Sequence, residues 1–296
     1  MIKRTILTTI ILFVSYTLFV IYAPKWWYAS QNQWQNNVIK AQKFIYNQND
    51  SIQNLIIGSS LSSRLIYENL PNTYNLSFVG QSIFDGLKLV DNKPTPPKNI
   101  FIEMNFVLRS ESVDFTNSIN SPILYYPREY INSLREDKQP IAVLGKISIM
   151  TIDEIKSIFS SKHNYIKKDS IVNKSISNNV LFSKMLALKI KEYSQVPSEE
   201  ILQESFDILR DNVRKLESKG VNVIFFEMPI NNKLENLPKS KAIRETFYKY
   251  FSPYKYKYIS LPKLSKYETT DGIHLNKLEA IKYTTYFKSF YKNHTQ

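Results

Sequence analysis

The chain has 296 residues, which is long enough for one large domain or two small ones. It contains no cysteine, and this excludes disulfides, thiolate metal sites, a cysteine nucleophile and a lipid anchor attached through cysteine. The formal net charge is +13, but the basic residues are spread along the sequence and form no arginine-rich block. We therefore interpret the charge as a solvated basic surface and predict no nucleic-acid partner.

The first predicted element is a membrane anchor over residues 1–28. The stretch from Thr5 to Ala23 carries no charge, and at about 1.5 Å per residue it approaches the ~30 Å hydrocarbon core of a bilayer. A cleaved signal peptide is the alternative, but the apolar run is longer than usual for one and no clear small-residue cleavage site ends it. Basic residues precede the run and aromatic residues follow it: Lys3, Arg4, Trp26, Trp27 and Tyr28. This order predicts a single-pass cell-membrane protein with a cytoplasmic N-terminus and an extracytoplasmic domain.

Beyond a polar stalk or leading helix at residues 29–50, short apolar runs predict the strands of one domain at 51–296. Turn residues bound the first runs, and helical patterns separate them. The predicted strands are Asn54–Ile57, Tyr74–Phe78, Asn99–Asn105, Val221–Phe226 and Tyr256–Leu261. Strands that alternate with helices favour an α/β fold with a mostly parallel sheet covered on both faces. Such sheets bind ligands at the carboxyl ends of their strands.

Two helices are well marked in the sequence. The segment from Ser198 to Lys219 has an apolar stripe at helical spacing, with Ser198 as its N-cap and a glycine directly after its end. The segment from Lys277 to Tyr291 has a similar stripe. Between the third and fourth strands we predict a largely helical insertion at about 107–197, with a helix near Ile152 to Phe159. The insertion is either a lid or acceptor-binding subdomain, or a family-variable addition.

Polar residues suited to acyl transfer stand where the predicted strands end and before the last helix. A serine hydroxyl needs a neighbouring base, and of the three histidines in the chain, His274 has an acid, Asp271, three residues before it. Ser60, after the first strand, is the predicted nucleophile. The backbone N–H groups of Ser60 and Gly80 and the side-chain amide of Asn105 are the predicted donors of an oxyanion hole. No metal site is predicted, because histidine ligands do not cluster in the sequence.

These positions occur in the order of the SGNH (GDSL-type) hydrolase superfamily, which the chain resembles. The similar blocks are IIGSSLS at 56–62, NLSFVGQS at 75–82, IEMNF at 102–106 and DGIH at 271–274. The chain departs from the family pattern where Ser59 replaces the usual Asp, Glu103 the usual Gly and Phe106 the usual Asp. The resemblance implies a three-layer α/β/α, flavodoxin-like SGNH fold.

The resemblance also implies a function. An acyl-enzyme would form on Ser60 with help from His274. It would be resolved by water, as in an esterase, or by a sugar hydroxyl, as in an O-acyltransferase. The membrane-anchored layout is similar to that of the DltD-like proteins of teichoic acid D-alanylation and of exopolysaccharide O-acetylation proteins. This suggests a cell-envelope or exported polysaccharide, or another acylated envelope polymer, as the partner. No cofactor is implied.

Other functions stay open on the sequence alone. An inactive member of the family, or a non-catalytic accessory protein docked to a membrane-bound acyltransferase, would have the same anchor and insertion. Glu103 and Glu227 both lie near predicted strand ends, so a paired-carboxylate glycosidase is a further alternative. An SGNH-type enzyme requires Asn105 and the catalytic groups to meet at one pocket, with Ser60 Oγ in hydrogen-bond reach of His274.

Overall fold

The computed structural model describes residues 1–23, 28–30, 32–46, 52–67, 70–93, 95–149, 175–262 and 266–294. The chain divides into two compact units. The first comprises Met1–Asn47 with Asn117–Asn173, and the second comprises Gln48–Thr116 with Lys174–Gln296. The boundaries predicted for the anchor, the stalk and the insertion stay predictions.

Helices account for most of the regular structure in the described ranges. In chain order they are α1 (Ile2–Tyr22), α2 (Gln33–Ile45), α3 (Ile83–Asp91), α4 (Val113–Asn120), α5 (Pro122–Tyr130), α6 (Pro140–Ile149), α7 (Ser175–Tyr193), α8 (Glu199–Ser218), α9 (Asn232–Glu235), α10 (Pro238–Tyr250) and α11 (Lys277–His294). The described part of the predicted insertion contains α4 to α7 and is therefore helical, as expected. The helix predicted near 152–159 lies outside the described residues.

The apolar N-terminal helix α1 is exposed along almost its whole length, and Val20 is its buried residue. It is long and apolar enough to cross a membrane, and a signal sequence at this position would meet the same criterion. The structure thus agrees with an N-terminal apolar helix, while its topology stays a prediction. In the predicted aromatic belt, Trp26 and Trp27 lie outside the described residues.

Polar contacts near the end of α1 attach it to the first unit. The hydroxyl of Tyr16 donates to the backbone oxygen of Lys138 at 2.7 Å. The hydroxyl oxygens of Thr17 and Ser133 lie 2.9 Å apart. These side chains lie in the last two turns of α1, so both contacts hold the carboxyl-terminal end of the helix.

A five-stranded parallel sheet forms the centre of the second unit. Its strands are β1 (Asn54–Ile57), β2 (Thr73–Asn75), β3 (Asn99–Glu103), β4 (Asn222–Phe226) and β5 (Lys257–Ile259). They lie in the order β2-β1-β3-β4-β5, and every pairing is parallel. The predicted α/β class with a mostly parallel sheet is confirmed. The strand β1 has its predicted bounds, and the others are shorter than predicted.

The carboxyl end of β2 shows how a strand boundary differs from its prediction. Beyond Asn75, the backbone N–H groups of Leu76 and Phe78 still donate to backbone oxygens of β1 and of the residue that follows it, at 2.7 and 3.2 Å. The backbone N–H of Ser77, between them, donates to Asn75 Oδ1 at 3.0 Å. The segment predicted as strand up to Phe78 therefore keeps backbone bonds to the β1 side, although β2 itself ends at Asn75.

Three asparagines at the amino ends of β1, β3 and β4 fix the register of the sheet. Asn54, Asn99 and Asn222 lie side by side in the pairing. Asn99 Nδ2 donates to Asn54 Oδ1 at 2.8 Å, and Asn222 Nδ2 donates to Asn99 Oδ1 at 3.0 Å. A slip of one residue would leave buried amide groups unpaired, at a cost of about 1–3 kcal/mol for each group.

Helices cover both faces of the sheet. On one face the ring of Phe225 in β4 lies 5.4 Å from that of Phe247 in α10. On the other face the rings of Phe101 and Phe226 lie 5.4 and 5.2 Å from Phe287 in α11. Successive strand residues point to opposite faces, so Phe225 and Phe226 reach different helices. The apolar runs in the sequence are continuous rather than alternating because both faces are buried.

The two helices marked in the sequence are present. The N-cap Ser198 of α8 accepts a hydrogen bond from the backbone N–H of Ile201 at 3.3 Å, as its sequence predicts. The C-terminal helix α11 begins at Lys277 as expected and ends at His294. Its apolar stripe packs on the sheet, which places its first turn at the carboxyl ends of the strands.

Candidate active site

The predicted nucleophile lies in the turn that follows β1. The chain leaves the strand at Ile57 and enters a 3-10 turn at Ser62–Arg64. Ser60 lies between them and is 9% exposed, whereas the neighbouring Ser59 and Ser62 are fully buried. Among the serines of this turn, solvent exposure therefore distinguishes Ser60, the predicted nucleophile, from Ser59 and Ser62.

The DGIH segment forms a tight turn around one carboxylate. Asp271 Oδ1 accepts hydrogen bonds from the backbone N–H groups of Ile273 at 3.1 Å and His274 at 2.8 Å. The second oxygen, Oδ2, lies 2.6 Å from His274 Nδ1. The backbone N–H of Thr270 donates to the oxygen of His274 at 2.8 Å and closes the turn. The three-residue spacing thus lets Asp271 hold both the turn and the ring.

The turn presents the other ring nitrogen to the serine. His274 Nε2 lies 2.8 Å from Ser60 Oγ, although the two residues are 214 positions apart in the chain. Because the carboxylate of Asp271 accepts at Nδ1, that nitrogen carries the ring hydrogen and Nε2 accepts from the Ser60 hydroxyl. This arrangement can take the hydroxyl proton as the oxygen attacks an electrophile, and the carboxylate can stabilise the imidazolium.

Contacts along α11 set the position of the histidine. The backbone N–H of Ile66, just beyond the serine turn, donates to Thr284 Oγ1 at 3.1 Å. The hydroxyl of Tyr283 donates to the backbone oxygen of Glu227, which follows β4, at 2.7 Å. The helix is thus bonded both to the segment after β1 and to the end of β4. His274 lies three residues before the helix begins, so these bonds constrain where its backbone lies.

The surroundings of Asp271 favour its ionised form. Burial, the largest single influence, acts to raise the pKa of this carboxyl. Hydrogen bonds from the ring and backbone of His274 and from the backbone of Ile273, together with the charge of His274, outweigh burial and lower the pKa from 3.8 to about 2. Asp271 is therefore ionised throughout the physiological pH range.

Gly80 lies in the loop after β2 and has a φ angle of 80°, in the left-handed region that favours glycine. Two side chains fix this loop. Arg109 Nη1 donates to the backbone oxygen of Gln81 at 3.1 Å. The buried Asp85 forms a capping box at the start of α3 and accepts from the backbone N–H of Ser112 at 2.8 Å. The loop is therefore bonded to the segment that follows β3.

Asn105 follows β3, and its amide group pairs with the backbone of Met228 after β4. Nδ2 donates to the Met228 oxygen at 2.9 Å, and Oδ1 accepts from the Met228 N–H at 2.7 Å. These bonds fix the plane of the amide and use one of the two Nδ2 hydrogens. Asn105 also lines a small cavity with Glu227 and Arg244. Its role as an oxyanion donor stays a prediction.

The other two predicted oxyanion donors are backbone N–H groups. Within the described ranges, the N–H groups of Ser60 and Gly80 meet no acceptor. The N–H groups of Ser59 and Ser62, by contrast, both donate to Glu103. The sheet order reverses between β1 and β3, which is where open parallel sheets bind ligands. Ser60 and Asn105 follow these two strands, and Gly80 follows β2 beside them.

The two glutamates that suggested a glycosidase each have other partners. The carboxylate of Glu103 is fully buried and accepts hydrogen bonds from Ser59 and Ser62. That of Glu227 accepts from Nε and Nη2 of Arg244 at 3.0 and 2.7 Å. Neither carboxylate is presented as a free acid or base, so the geometry does not favour that alternative.

Of the remaining histidines, His163 lies outside the described residues, and His294 ends α11. Across the described ranges, His, Asp and Glu side chains form no group of three or more that could hold a metal ion.

Sequence reasoning missed three contacts that shape the site: Glu103 with the serine turn, Asn105 with Met228, and Arg109 with Gln81. Only Glu103 left a signal, because it is a charged residue in the run NIFIEMN, which is otherwise apolar between its two terminal asparagines. A carboxylate in a buried strand requires hydrogen-bond donors, and the Ser-rich turn after β1 offers them. Contacts to backbone groups leave no comparable mark in a sequence.

No protein-family model matches the chain, and no curated protein sequence matches it either. The resemblance to the SGNH superfamily therefore rests on the four sequence blocks.

The lowered pKa of Asp271 predicts a specific dependence of stability on pH. A carboxyl with a lower pKa in the folded state stabilises the fold above its unfolded pKa, and this contribution is lost as pH falls from 3.8 towards 2. At pH 5 we expect Asp271→Asn to lower the free energy of unfolding by about 2 kcal/mol relative to wild type. The difference should shrink steadily in urea titrations at pH 4, 3 and 2.

The exposed Asp211 of α8 offers a matched control, since Asp211→Asn removes a carboxylate from the surface. That variant should track wild type at each pH. A wild-type advantage over Asp271→Asn that is constant from pH 5 to pH 2 would contradict the assignment.

Proposed function

We propose that the chain is a membrane-anchored, extracytoplasmic serine acyl hydrolase or O-acyltransferase of the SGNH type. We propose that it acts on a cell-envelope or exported polysaccharide through an acyl-Ser60 intermediate. The observation that carries this proposal is the hydrogen-bonded chain from Ser60 Oγ through the ring of His274 to the carboxylate of Asp271. A non-catalytic accessory protein does not require these three groups to be aligned.

The sheet supports an SGNH-type fold. Its strand order, 2-1-3-4-5, is the order of flavodoxin-like folds, in which ligands bind at the switch between the first and third strands. The first three sequence blocks follow β1, β2 and β3, and the fourth precedes the last helix. The first three blocks thus lie at the edge of the sheet where folds of this order bind ligands.

The chemistry follows from the hydrogen bonds. Ser60 Oγ attacks an acyl carbonyl carbon while its proton moves to His274 Nε2. The oxyanion of the tetrahedral intermediate would accept from the predicted donors, Ser60 N–H, Gly80 N–H and Asn105 Nδ2. When the intermediate collapses, the bond to the leaving oxygen breaks and that oxygen takes the proton from Nε2. An acyl ester on Ser60 remains.

The second half of the reaction runs in reverse with a new acceptor. Water or a sugar hydroxyl gives its proton to Nε2 and attacks the ester carbon, and Ser60 leaves as the alcohol with that proton restored. Water yields a hydrolase and a sugar hydroxyl yields a transferase. The residues are the same in both cases, so only the acceptor that occupies the site distinguishes them.

The choice of an envelope polymer rests on layout. The helix α1 is suited to a bilayer, and the basic residues before it favour a cytoplasmic N-terminus. Everything after α1 would then face the extracytoplasmic side, where acylated surface polysaccharides occur. A membrane-bound acyltransferase as acyl donor is compatible with this layout.

Replacing the nucleophile should abolish catalysis. We expect Ser60→Ala to lower the rate of aryl acetate hydrolysis by about 10³-fold or more, because the acyl-enzyme can no longer form. The matched variant is Ser63→Ala. Ser63 is a partly buried serine of the same turn whose hydroxyl donates to the backbone oxygen of Ser60 at 2.8 Å, so the variant removes a neighbouring hydroxyl and leaves Ser60 Oγ in place. It should keep the greater part of the rate. Equal rates for Ser60→Ala and wild type would contradict the assignment.

The same assay with an added oligosaccharide separates hydrolase from transferase. Acetylated oligosaccharide, detected by mass spectrometry and dependent on Ser60, would identify a transferase. Free acetate alone would identify a hydrolase.

The absence of cysteine permits a clean test of topology. We expect a cysteine introduced as Tyr254→Cys, a fully exposed position, to react with a membrane-impermeant maleimide on intact producing cells. Lys3→Cys should react only after the cells are permeabilised, because Lys3 precedes α1 on the cytoplasmic side. The reverse pattern of labelling would contradict the proposed orientation. Loss of residue 3 from the mature chain would show a cleaved signal sequence instead.

A further inference from the structure

We propose that Glu103 is a positioning residue that holds the serine turn in the orientation required for attack. The inference rests on the proposed function insofar as it assigns a catalytic consequence to the turn. The geometry itself is independent of that function. Glu103 is the last residue of β3, and its side chain is fully buried.

The carboxylate receives four hydrogen bonds, all from the turn that carries Ser60. One oxygen, Oε2, accepts from the backbone N–H of Ser59 at 2.9 Å and of Ser62 at 3.1 Å. The hydroxyls complete the set: Ser59 Oγ donates to Oε1 at 2.7 Å, and Ser62 Oγ donates to Oε2 at 2.6 Å. Bonds to an ionised acceptor are stronger than neutral ones, so these bonds offset the cost of burying the carboxylate.

The pattern of donors explains the orientation of the nucleophile. The residues on both sides of Ser60 direct their N–H groups to Glu103, across the boundary between β1 and β3. Ser60 itself is left out of this set and presents its hydroxyl to His274. The carboxylate thus fixes the backbone at two points that flank the nucleophile, and the side chain of Ser60 needs no bond of its own to the strand.

Close packing leaves the turn little freedom around this carboxylate. A Cβ atom at Gly58 would lie 2.0 Å from Ser62 Oγ and 2.6 Å from Glu103 Oε2, both well inside contact distance. The turn therefore lies directly against the carboxylate, and glycine at position 58 is what permits the approach. Ser62 Oγ also lies 2.8 Å from Ser77 Oγ, which connects the network to the segment after β2.

Two of the positions at which the chain departs from the SGNH pattern are in direct contact with each other. The pattern has a carboxylate on the turn at position 59 and glycine on the strand at position 103. In this chain the turn has Ser59, the strand has Glu103, and their side chains are hydrogen-bonded to each other. The carboxylate is supplied from the strand instead of the turn. The departures are therefore not evidence of a decayed site.

The test compares three substitutions in the full-length chain in detergent. Glu103→Ala removes every acceptor from the turn. Glu103→Gln keeps an amide oxygen that can accept from both backbone N–H groups. Ile102→Ala deletes a fully buried apolar side chain of the same strand and removes no hydrogen bond to the turn, so it controls for loss of core packing. The readouts are the rate at which a fluorophosphonate probe labels Ser60, and hydrogen exchange of the backbone amides of residues 58–64.

We expect Glu103→Ala to label about 100-fold more slowly than wild type, because a displacement of about 1 Å at the nucleophile has this effect. Glu103→Gln should recover to within about tenfold of wild type, since its amide oxygen still accepts from both backbone N–H groups, although these bonds are no longer charge-assisted and the amide nitrogen cannot accept from a hydroxyl. Ile102→Ala should label at the wild-type rate even where it lowers the unfolding midpoint. Exchange of the amides of Ser59 and Ser62 should accelerate in Glu103→Ala only.

Each contrary result of this experiment leads to a different conclusion. If wild type labels but Glu103→Ala labels equally fast, or Ile102→Ala slows labelling as much as Glu103→Ala does, the positioning role is overturned. If Glu103→Ala fails to fold, Glu103→Gln decides the question. Labelling of Glu103→Gln as slow as that of Ser60→Ala would overturn the positioning role, because a hydrogen-bond acceptor at position 103 would then not be enough to orient Ser60. If wild type does not label at all, the proposed function fails, and the amide exchange of the variants still decides whether Glu103 holds the turn.

Discussion

The register of the parallel sheet is the constraint on which the rest of the site depends. Ser60, Gly80 and Asn105 each follow a strand, so they can meet only if β1, β2 and β3 end at the same edge and in step. Side-chain amides at the amino ends of β1, β3 and β4 link the register of these three strands through the bonds among Asn54, Asn99 and Asn222. Asparagine side chains at the amino ends of the strands thus help to determine where the residues after the carboxyl ends of the strands lie.

Two carboxylates act on the same serine from different environments. Asp271 lies in a partly solvated turn, orients His274 and has a lowered pKa. Glu103 is fully buried and binds the backbone on both sides of Ser60. In the proposed mechanism Asp271 orients the base and Glu103 positions the nucleophile, whose atoms His274 Nε2 and Ser60 Oγ lie 2.8 Å apart. The helix α11 adds the third constraint through its bond from Ile66 to Thr284.

The features that could be predicted from the sequence are those that depend on short segments of the chain. The turn of Asp271 and His274 spans four residues and is visible as a spacing, and the cap of α8 is visible as a serine before two glutamates. The order of strands and helices followed from their apolar patterns. Strand ends were less accurate. The strand β2 ends at Asn75 although the backbone N–H groups of Leu76 and Phe78 still donate to the β1 side, and an apolar pattern does not show where regular pairing stops.

The contacts that could not be predicted join distant parts of the chain. Glu103 and the serine turn are separated by more than 40 positions, and Asn105 and Met228 by 123. In the sequence Glu103 was visible as a charged residue in a buried strand and as a departure from a family pattern, but its partners are ordinary serines and backbone groups that carry no such signal. Contacts of this kind depend on which strands are neighbours, and that is known only once the sheet order is known.

The most direct measurement of the central claim is to trap the acyl-enzyme. The full-length protein would be mixed with an aryl acetate, quenched in acid within the first turnover and digested for peptide mass spectrometry. The proposed mechanism predicts one acetyl group on the peptide that contains Ser60, assigned to that residue by fragmentation and absent from unfolded protein treated in the same way. An aryl acetate that is consumed without acetylation of Ser60, or with the acetyl group on another residue, would contradict it.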